Sequence, residues 1–130
     1  MANEEQLSIL KQGVKVWNEW RKENPDNEID LSEAKLSGYN LRRADLSRAK
    51  LNEADLRNAD LSEANLMQAN LFNASLSEAN LGGANLSNAQ LTLSYLDRTN
   101  LTGANLTRAD LFEANLEEAN LQEPILQKPI

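Results

Sequence analysis

Residues 44–66 read ADLSRAKLNEADLRNADLSEANL, and the step between their leucines decides the fold. Leucine stands at positions 46, 51, 56, 61 and 66, and outward from this stretch the same step continues without a slip from Leu31 to Leu126. Twenty leucines share one register, so internal repetition is the first property to explain. Two positions before the leucine the chain places alanine in fifteen cases, among them Ala34, Ala44 and Ala119, and the residue between is mostly Asp or Asn. The unit is Ala-(Asp/Asn)-Leu-x-x.

A period of five suits neither regular element. On a helix five steps turn the chain by about 500°, leaving each leucine about 140° from the last. On a straight strand an odd period sends every second leucine to the opposite face. The conflict disappears if the chain turns one corner per pentad, so that each unit is one short side of a coil with its leucine inward. The alanine, two positions away on the same pleat, then points inward as well. The other three positions face solvent, and they carry almost all of the Asp, Glu, Asn, Lys and Arg.

These tandem Ala-Asp-Leu-Ser-x and Ala-Asn-Leu-x-x units resemble the pentapeptide-repeat protein family, from about Ile29 to Glu123. The resemblance implies an all-β solenoid, a right-handed quadrilateral β-helix with four pentads per coil. Residues twenty apart then stack at one strand spacing of ~4.8 Å, giving about five coils and a rod ~24 Å long. The four leucine columns begin at Leu31, Leu36, Leu41 and Leu46, and the first of them runs Leu31, Leu51, Leu71, Leu91, Leu111. Each buried leucine contributes ~1.5–3 kcal/mol, set against a conformational entropy cost of similar total size. Alanine limits the width of the coil, so bulkier residues at that position belong where a neighbouring coil is missing. Ile29 and Tyr39 fall in the first coil, as this requires, and Pro124 near the last reads as a block to a further strand.

The chain divides into a helical segment and linker at 1–28, the repeat array at 29–123 and a tail at 124–130. Residues Asn3 to Asn24 have helical periodicity, with Leu7, Leu10, Val14 and Trp17 on one side and Ile9, Val16 and Trp20 widening the arc. Asn3 with Gln6 has the form of a capping box, and Asn24-Pro25 stops the helix. So wide an apolar arc is expected to be buried on the first coil as an N-terminal α-helical cap. No second helix follows the array. The rod is expected to be a monomer, or an end-to-end dimer through its C-terminal coil.

Only 5% of the 130 residues are aromatic, so the core must be small and aliphatic. The chain has neither cysteine nor histidine, which removes disulfides, thiolate metal sites and the commonest general base. A net charge of −7 disfavours direct nucleic-acid binding. An acidic N-terminus and the lack of a long apolar run give the expectation of a cytoplasmic protein that does not enter a membrane. Carboxylate pairs such as Asp55 with Asp60, or Glu117 with Glu118, lie at solvated outward positions rather than in a cleft that would shift their pKa values. Ser32, Ser47, Ser62, Ser87 and Thr102 recur as corner residues with no base to activate them. The Asn-Leu-Ser/Thr triplets that match a glycosylation sequon are generated by the repeat itself. Columns of asparagine, Asn65/Asn85/Asn105 and Asn80/Asn100/Asn120, are expected to tie neighbouring coils together. No catalytic, cofactor-binding or metal-binding set emerges, and a non-enzymatic interaction module is expected.

One stretch breaks the pattern. In Leu91–Thr99, alanine gives way to Ser94 and Thr99, and Leu93 and Tyr95 occupy outward positions. Phe72, Thr92 and Phe112 share one phase on the adjoining wall, so Phe72, Thr92, Leu93, Tyr95 and Phe112 form a candidate patch for a protein partner. The resemblance supplies a rival: some family members protect DNA gyrase from quinolones by imitating a negatively charged duplex as dimeric rods. Against it, the first half of the array is nearly balanced, with seven acids and six bases between Asp30 and Gln68.

Overall fold

The computed structural model describes residues 1–126. From Asp30 onward the chain winds as a four-sided coil. Parallel bridges join residues twenty apart: Asp30 to Lys50, Lys35 to Asp55, Asn40 to Asp60, Asp45 to Asn65, and onward to Asn105 with Ile125. The bridged residue is always the one before the leucine, so each wall is a ladder of single rungs rather than a set of full strands.

In the pentad 69–73, in the middle of the array, every N–H has a defined partner. Ala69 N–H closes the corner on Leu66 C=O at 3.0 Å; Asn70 N–H reaches back to Ala49 C=O at 2.9 Å; Leu71 and Asn73 N–H reach forward to Gln90 and Thr92 C=O at 2.7 and 3.0 Å. The fifth N–H, on Phe72, finds no carbonyl and donates to the Asn70 side-chain Oδ1 at 3.0 Å. This is why Asp or Asn precedes the leucine. Its short side chain folds back on the backbone two residues ahead as an Asx turn, satisfying the one donor the coil leaves over. The same bond recurs from Asp30 to Asn120 wherever Asp or Asn holds the position. The asparagine columns are therefore chiefly corner devices. Of the two expected ladders only the Asn100 Nδ2 to Asn80 Oδ1 rung, at 3.0 Å, ties one coil to the next. Gly82 makes room for it, since a Cβ there would come within 3.2 Å of Asn80 Oδ1 and 3.3 Å of Asn100 Nδ2.

At each corner the residue two after the leucine has positive φ, from Glu33 at 60° to Glu123 at 52°, which with the Leu-to-Ala turn bond marks type II turns. Only three of these corners use glycine: Gly38, Gly83 and Gly103. The left-handed conformation costs other residues about 1–2 kcal/mol each, and the hydrogen bonds on both sides of each corner offset it.

Serine hydroxyls reinforce the Asx turns. Ser32 donates to Asp30, and Ser62 to Asp60, at 2.6 Å each, and these bonds hold both carboxyls below the usual carboxylate range. Asp55 is lowered chiefly by Arg57, whose guanidinium donates to both of its oxygens at 2.8 Å. A carboxyl whose folded-state pKa lies below its unfolded value of ~3.9 contributes stability that is complete above that value and is lost as pH falls through the folded value. An asparagine at the same position keeps the acceptor without the titration. We expect the melting temperature of the wild type to fall between pH ~5 and ~2.5, and that of an Asp30→Asn/Asp55→Asn/Asp60→Asn variant to fall less over the same range. Equal acid sensitivity would refute the assignment.

The core is the stack of inward leucines and alanines, fully buried from Leu31 to Leu101. Thr99, at an alanine position, satisfies its hydroxyl on Leu76 C=O at 3.0 Å, whereas the buried Ser94 Oγ has no partner among the described residues. At the C-terminal end burial declines: Leu111 and Leu116 are half-buried, and Leu121 and Leu126 are 41% and 60% exposed. Ile125 still pairs with Asn105, so the coil continues into residues expected to form a tail. The remainder of that expected tail, 127–130, lies outside the described residues. Pro124 does not act as expected. The N–H at an alanine position closes the corner rather than reaching another coil, so proline there deletes a turn bond and leaves inter-coil pairing untouched.

The N-terminal segment forms two helices rather than one: α1, Glu4–Lys11, and α2, Val14–Glu23. Gly13, at φ 117°, breaks them in a conformation unfavourable to other residues. Asn3 caps α1 by accepting from Gln6 N–H at 3.0 Å, but the reciprocal half of the capping box is absent because the Gln6 side chain is used elsewhere. Leu10 and Trp17 are fully buried, and Leu7, Ile9, Val14 and Trp20 partly so; Val16, expected in the buried arc, is exposed. None of the helices is long and apolar enough to cross a membrane.

Groups of this N-terminal segment, mostly side chains, take the places that a preceding coil would fill. On the first wall Asp30 N–H donates to Gln6 Oε1 and Asn3 N–H donates to Asp30 C=O, both at 2.8 Å. On the fourth, Asp45 N–H donates to Asn18 Oδ1 and the Trp17 indole donates to Asp45 C=O, again at 2.8 Å. Arg21 adds bonds to Asp45 and Ser47 C=O at 3.0 and 3.1 Å. Burial lowers its pKa, against the pull of Asp45. At Lys35 and Asn40 the corresponding backbone groups have no partner among the described residues.

Candidate interaction surface

The patch residues come together as the repeat requires. Phe72, Thr92 and Phe112 stack at successive coils of one wall, and Leu93 N–H donates to Phe112 C=O of the next coil at 3.0 Å. Tyr95 bridges Ser75 and Asn115 on the next wall, so the apolar surface turns a corner of the rod. Phe72 is 41% exposed, Leu93 39%, Tyr95 47% and Phe112 65%, while Thr92 is half-buried between the two phenylalanines. Leu93 stands at φ 60° as the one apolar residue among the left-handed corners.

Away from the helices and the C-terminal coil, the remaining walls are of a different character. The third and fourth walls carry, over the last three coils, mostly Asn, Ser, Thr and Gly, for example Asn80, Asn85, Gly103 and Thr107. Most acids of the early coils are engaged: Glu63 with Arg42 and Arg43 at 2.8 and 3.3 Å, Asp55 with Arg57 at 2.8 Å, Lys50 with Glu28 at 2.8 Å. Asp55 and Asp60 are thus held in an ion pair and a serine-reinforced turn, and neither faces a cleft with the other. Two shallow hollows of about 360 Å³ each lie beside the helices, one lined by Arg21, Asn27, Ser47 and Arg48, the other by Leu7, Lys11, Ala34 and Lys35. Neither touches the apolar strip. Sequence reasoning missed Arg21, Asn18 and Gln6 as residues that complete the first coil, because their partners are backbone groups that no side-chain motif records.

Among curated proteins none matches the sequence. Solved structures similar to it include a cyanobacterial and a plant protein. The pentapeptide repeat protein Rfr23 from the cyanobacterium Cyanothece 51142 is 36% identical with a TM-score of 0.54, and a pentapeptide repeat protein from the Arabidopsis thaliana thylakoid lumen is 35% identical with a TM-score of 0.50. The matches cover 78% and 73% of this chain and 66% and 63% of theirs, so this chain spans just under two thirds of their length. Full-length QnrB1, a plasmid-mediated fluoroquinolone resistance protein, matches at 17% identity and a TM-score of 0.40 over 77% of this chain and 61% of its own, too distant to carry an argument. The family described as Pentapeptide repeats matches in eight copies, over residues 29–68, 49–88, 69–108 and 89–126. With that match running the length of the coil, the chain belongs to the pentapeptide-repeat family, whose members fold as right-handed β-helices.

Proposed function

We propose that this protein is a non-enzymatic interaction module, a rigid rod capped by α1 and α2, that presents the strip of Phe72, Leu93, Tyr95 and Phe112 to another protein. The observation that carries this reading is the strip itself: three aromatic side chains and a leucine, each more than a third exposed, gathered on one corner of the rod, away from the exposed Leu121, Ile125 and Leu126 at its C-terminal end. Aromatic residues dominate interface energies because they bury large area at small entropic cost. The open C-terminal coil, with Leu121 and Leu126 exposed, is a second contact face, suited to another copy. Gyrase mimicry is less well supported, since a duplex imitation needs acids along the rod and two walls of the later coils are nearly uncharged. A gyrase supercoiling assay tests that rival directly.

Replacing Phe72, Tyr95 and Phe112 together with serine is expected to leave the circular dichroism spectrum unchanged, because none fills a leucine or alanine position. The same variant is expected to lose the partner retained by wild type in a pull-down, or the dimer in sedimentation if self-association is the contact. A normal fold with partner and assembly state retained would show that the strip has no binding role.

A further inference from the structure

Resting on the reading of the strip as a contact surface, we infer that its occupant is a basic amphipathic segment, apolar anchors flanked by Lys or Arg. The argument is charge complementarity. From Ala84 to Leu126 the chain carries six carboxylates and only two arginines, and several of those acids fringe the strip. Glu113 follows Leu93 on the same corner one coil later, and Glu113 is also the direct chain neighbour of Phe112. Asp97 and Glu117 stack on the wall of Tyr95, where Arg98 N–H donates to Glu117 C=O at 2.8 Å, and Glu118 holds the next corner.

Of these, Asp97 is the one with an ion pair, to Arg98 at 3.3 Å. Glu113, Glu117 and Glu118 have none among the described residues, in contrast to Asp55 and Glu63 of the second coil. An apolar or acidic partner settling on Phe112 and Leu93 leaves these carboxylates partly desolvated and uncompensated, which is costly. A partner with flanking cations compensates them, and such rim charges act mainly on association rate and salt dependence. The dimensions also fit. Phe72 and Phe112 lie two coils apart, about 10 Å, the rise of about two helical turns, so anchors at i and i+7 of a helix meet both rings.

The test uses the full chain and two synthetic helical peptides of identical apolar face, one with lysine on its polar face and one with glutamate, titrated by fluorescence anisotropy at low and moderate salt. The lysine peptide is expected to bind wild type, weakening as salt rises, and the glutamate peptide not to bind. The serine variant at 72, 95 and 112 is expected to weaken lysine-peptide binding by roughly tenfold or more. A Glu113→Gln/Glu117→Gln/Glu118→Gln variant is expected to bind more weakly at low salt with a flatter salt dependence. If both peptides bind equally and both need the three aromatics, or if the glutamine variant binds as wild type does, the basic partner is overturned while the contact surface stands. If binding is absent, or unaffected by the serine variant, the contact-surface reading itself fails and the basic partner with it.

Discussion

A Leu71→Asp variant is expected to lose the cooperative thermal transition of the array, while Glu78→Lys shifts it by only a degree or so. Leu71 is fully buried at the third rung of its column, with coils before and after it, so the side chain has no route to solvent. Removing the leucine alone costs about 2–5 kcal/mol. An unpaired carboxylate in that position adds a desolvation penalty of several kcal/mol, against a total stability of about 5–15 kcal/mol for a protein of this kind. Because each coil contacts only its neighbours, the break divides the rod: the helices and first coils retain partners, whereas the C-terminal coils lose theirs. Glu78 faces solvent and meets only Arg98, at 3.7 Å, an exposed pair worth at most about 1 kcal/mol. Differential scanning calorimetry with circular dichroism distinguishes the two. Similar shifts for both variants would mean that the leucines do not face inward.

The parts of this structure legible in the sequence were those set by periodicity. The unbroken step from Leu31 to Leu126 allows no inward residue other than leucine once a corner is placed in each pentad, and alanine follows by the pleat. The left-handed conformation at those corners was not legible. Glutamate, arginine and glutamine hold positive φ at positions such as Glu53, Arg48 and Gln68, and none of these residue types advertises the left-handed region. The conformation is imposed by the hydrogen bonds of stacked coils, a tertiary constraint that overrides local preference. The same limit explains the asparagines. Their spacing along a column suggested ladders, but a short amide side chain reaches its own backbone more readily than a neighbour 4.8 Å away in the stack.

The single helix expected over residues 3–24 failed for a related reason. Apolar periodicity continues through Gly13, and only the need to lay two faces against two walls of the coil makes the break there favourable. The candidate patch shows the opposite balance. Phase alone placed Phe72, Thr92 and Phe112 on one wall and Leu93 and Tyr95 around its corner, because in a strict solenoid sequence position and surface position are the same coordinate. What phase could not supply is the setting of that strip, with Glu113, Glu117 and Glu118 beside it forming no ion pair among the described residues, which depends on which acids find partners across coils.

Deleting residues 1–24 is expected to make the rod aggregate on concentration more than the intact chain does, with a lower melting temperature in dilute solution. The deletion strips the first coil of Gln6, Trp17, Asn18 and Arg21, so the backbone groups of Asp30, Asp45 and Ser47 join those of Lys35 and Asn40 as an open edge. Beneath that edge Leu31, Leu36, Leu41 and Leu46, all buried in the intact protein, lose their cover together with Ile29. An edge with free N–H and C=O groups above bare leucines is a template for pairing between chains. Trp17 and Leu10 are fully buried against the coil, and each large apolar side chain so placed contributes ~1.5–3 kcal/mol. Light scattering against concentration and a thermal melt at low concentration separate association from loss of stability. A Trp17→Phe variant keeps much of the packing but removes the indole bond to Asp45 and leaves a small cavity, so it is expected to lose about 1–3 kcal/mol without aggregating as the truncated chain does. A truncated chain that remains monomeric and melts with the wild type would show that the helices contribute nothing to closing the coil, whatever hydrogen bonds they make to it.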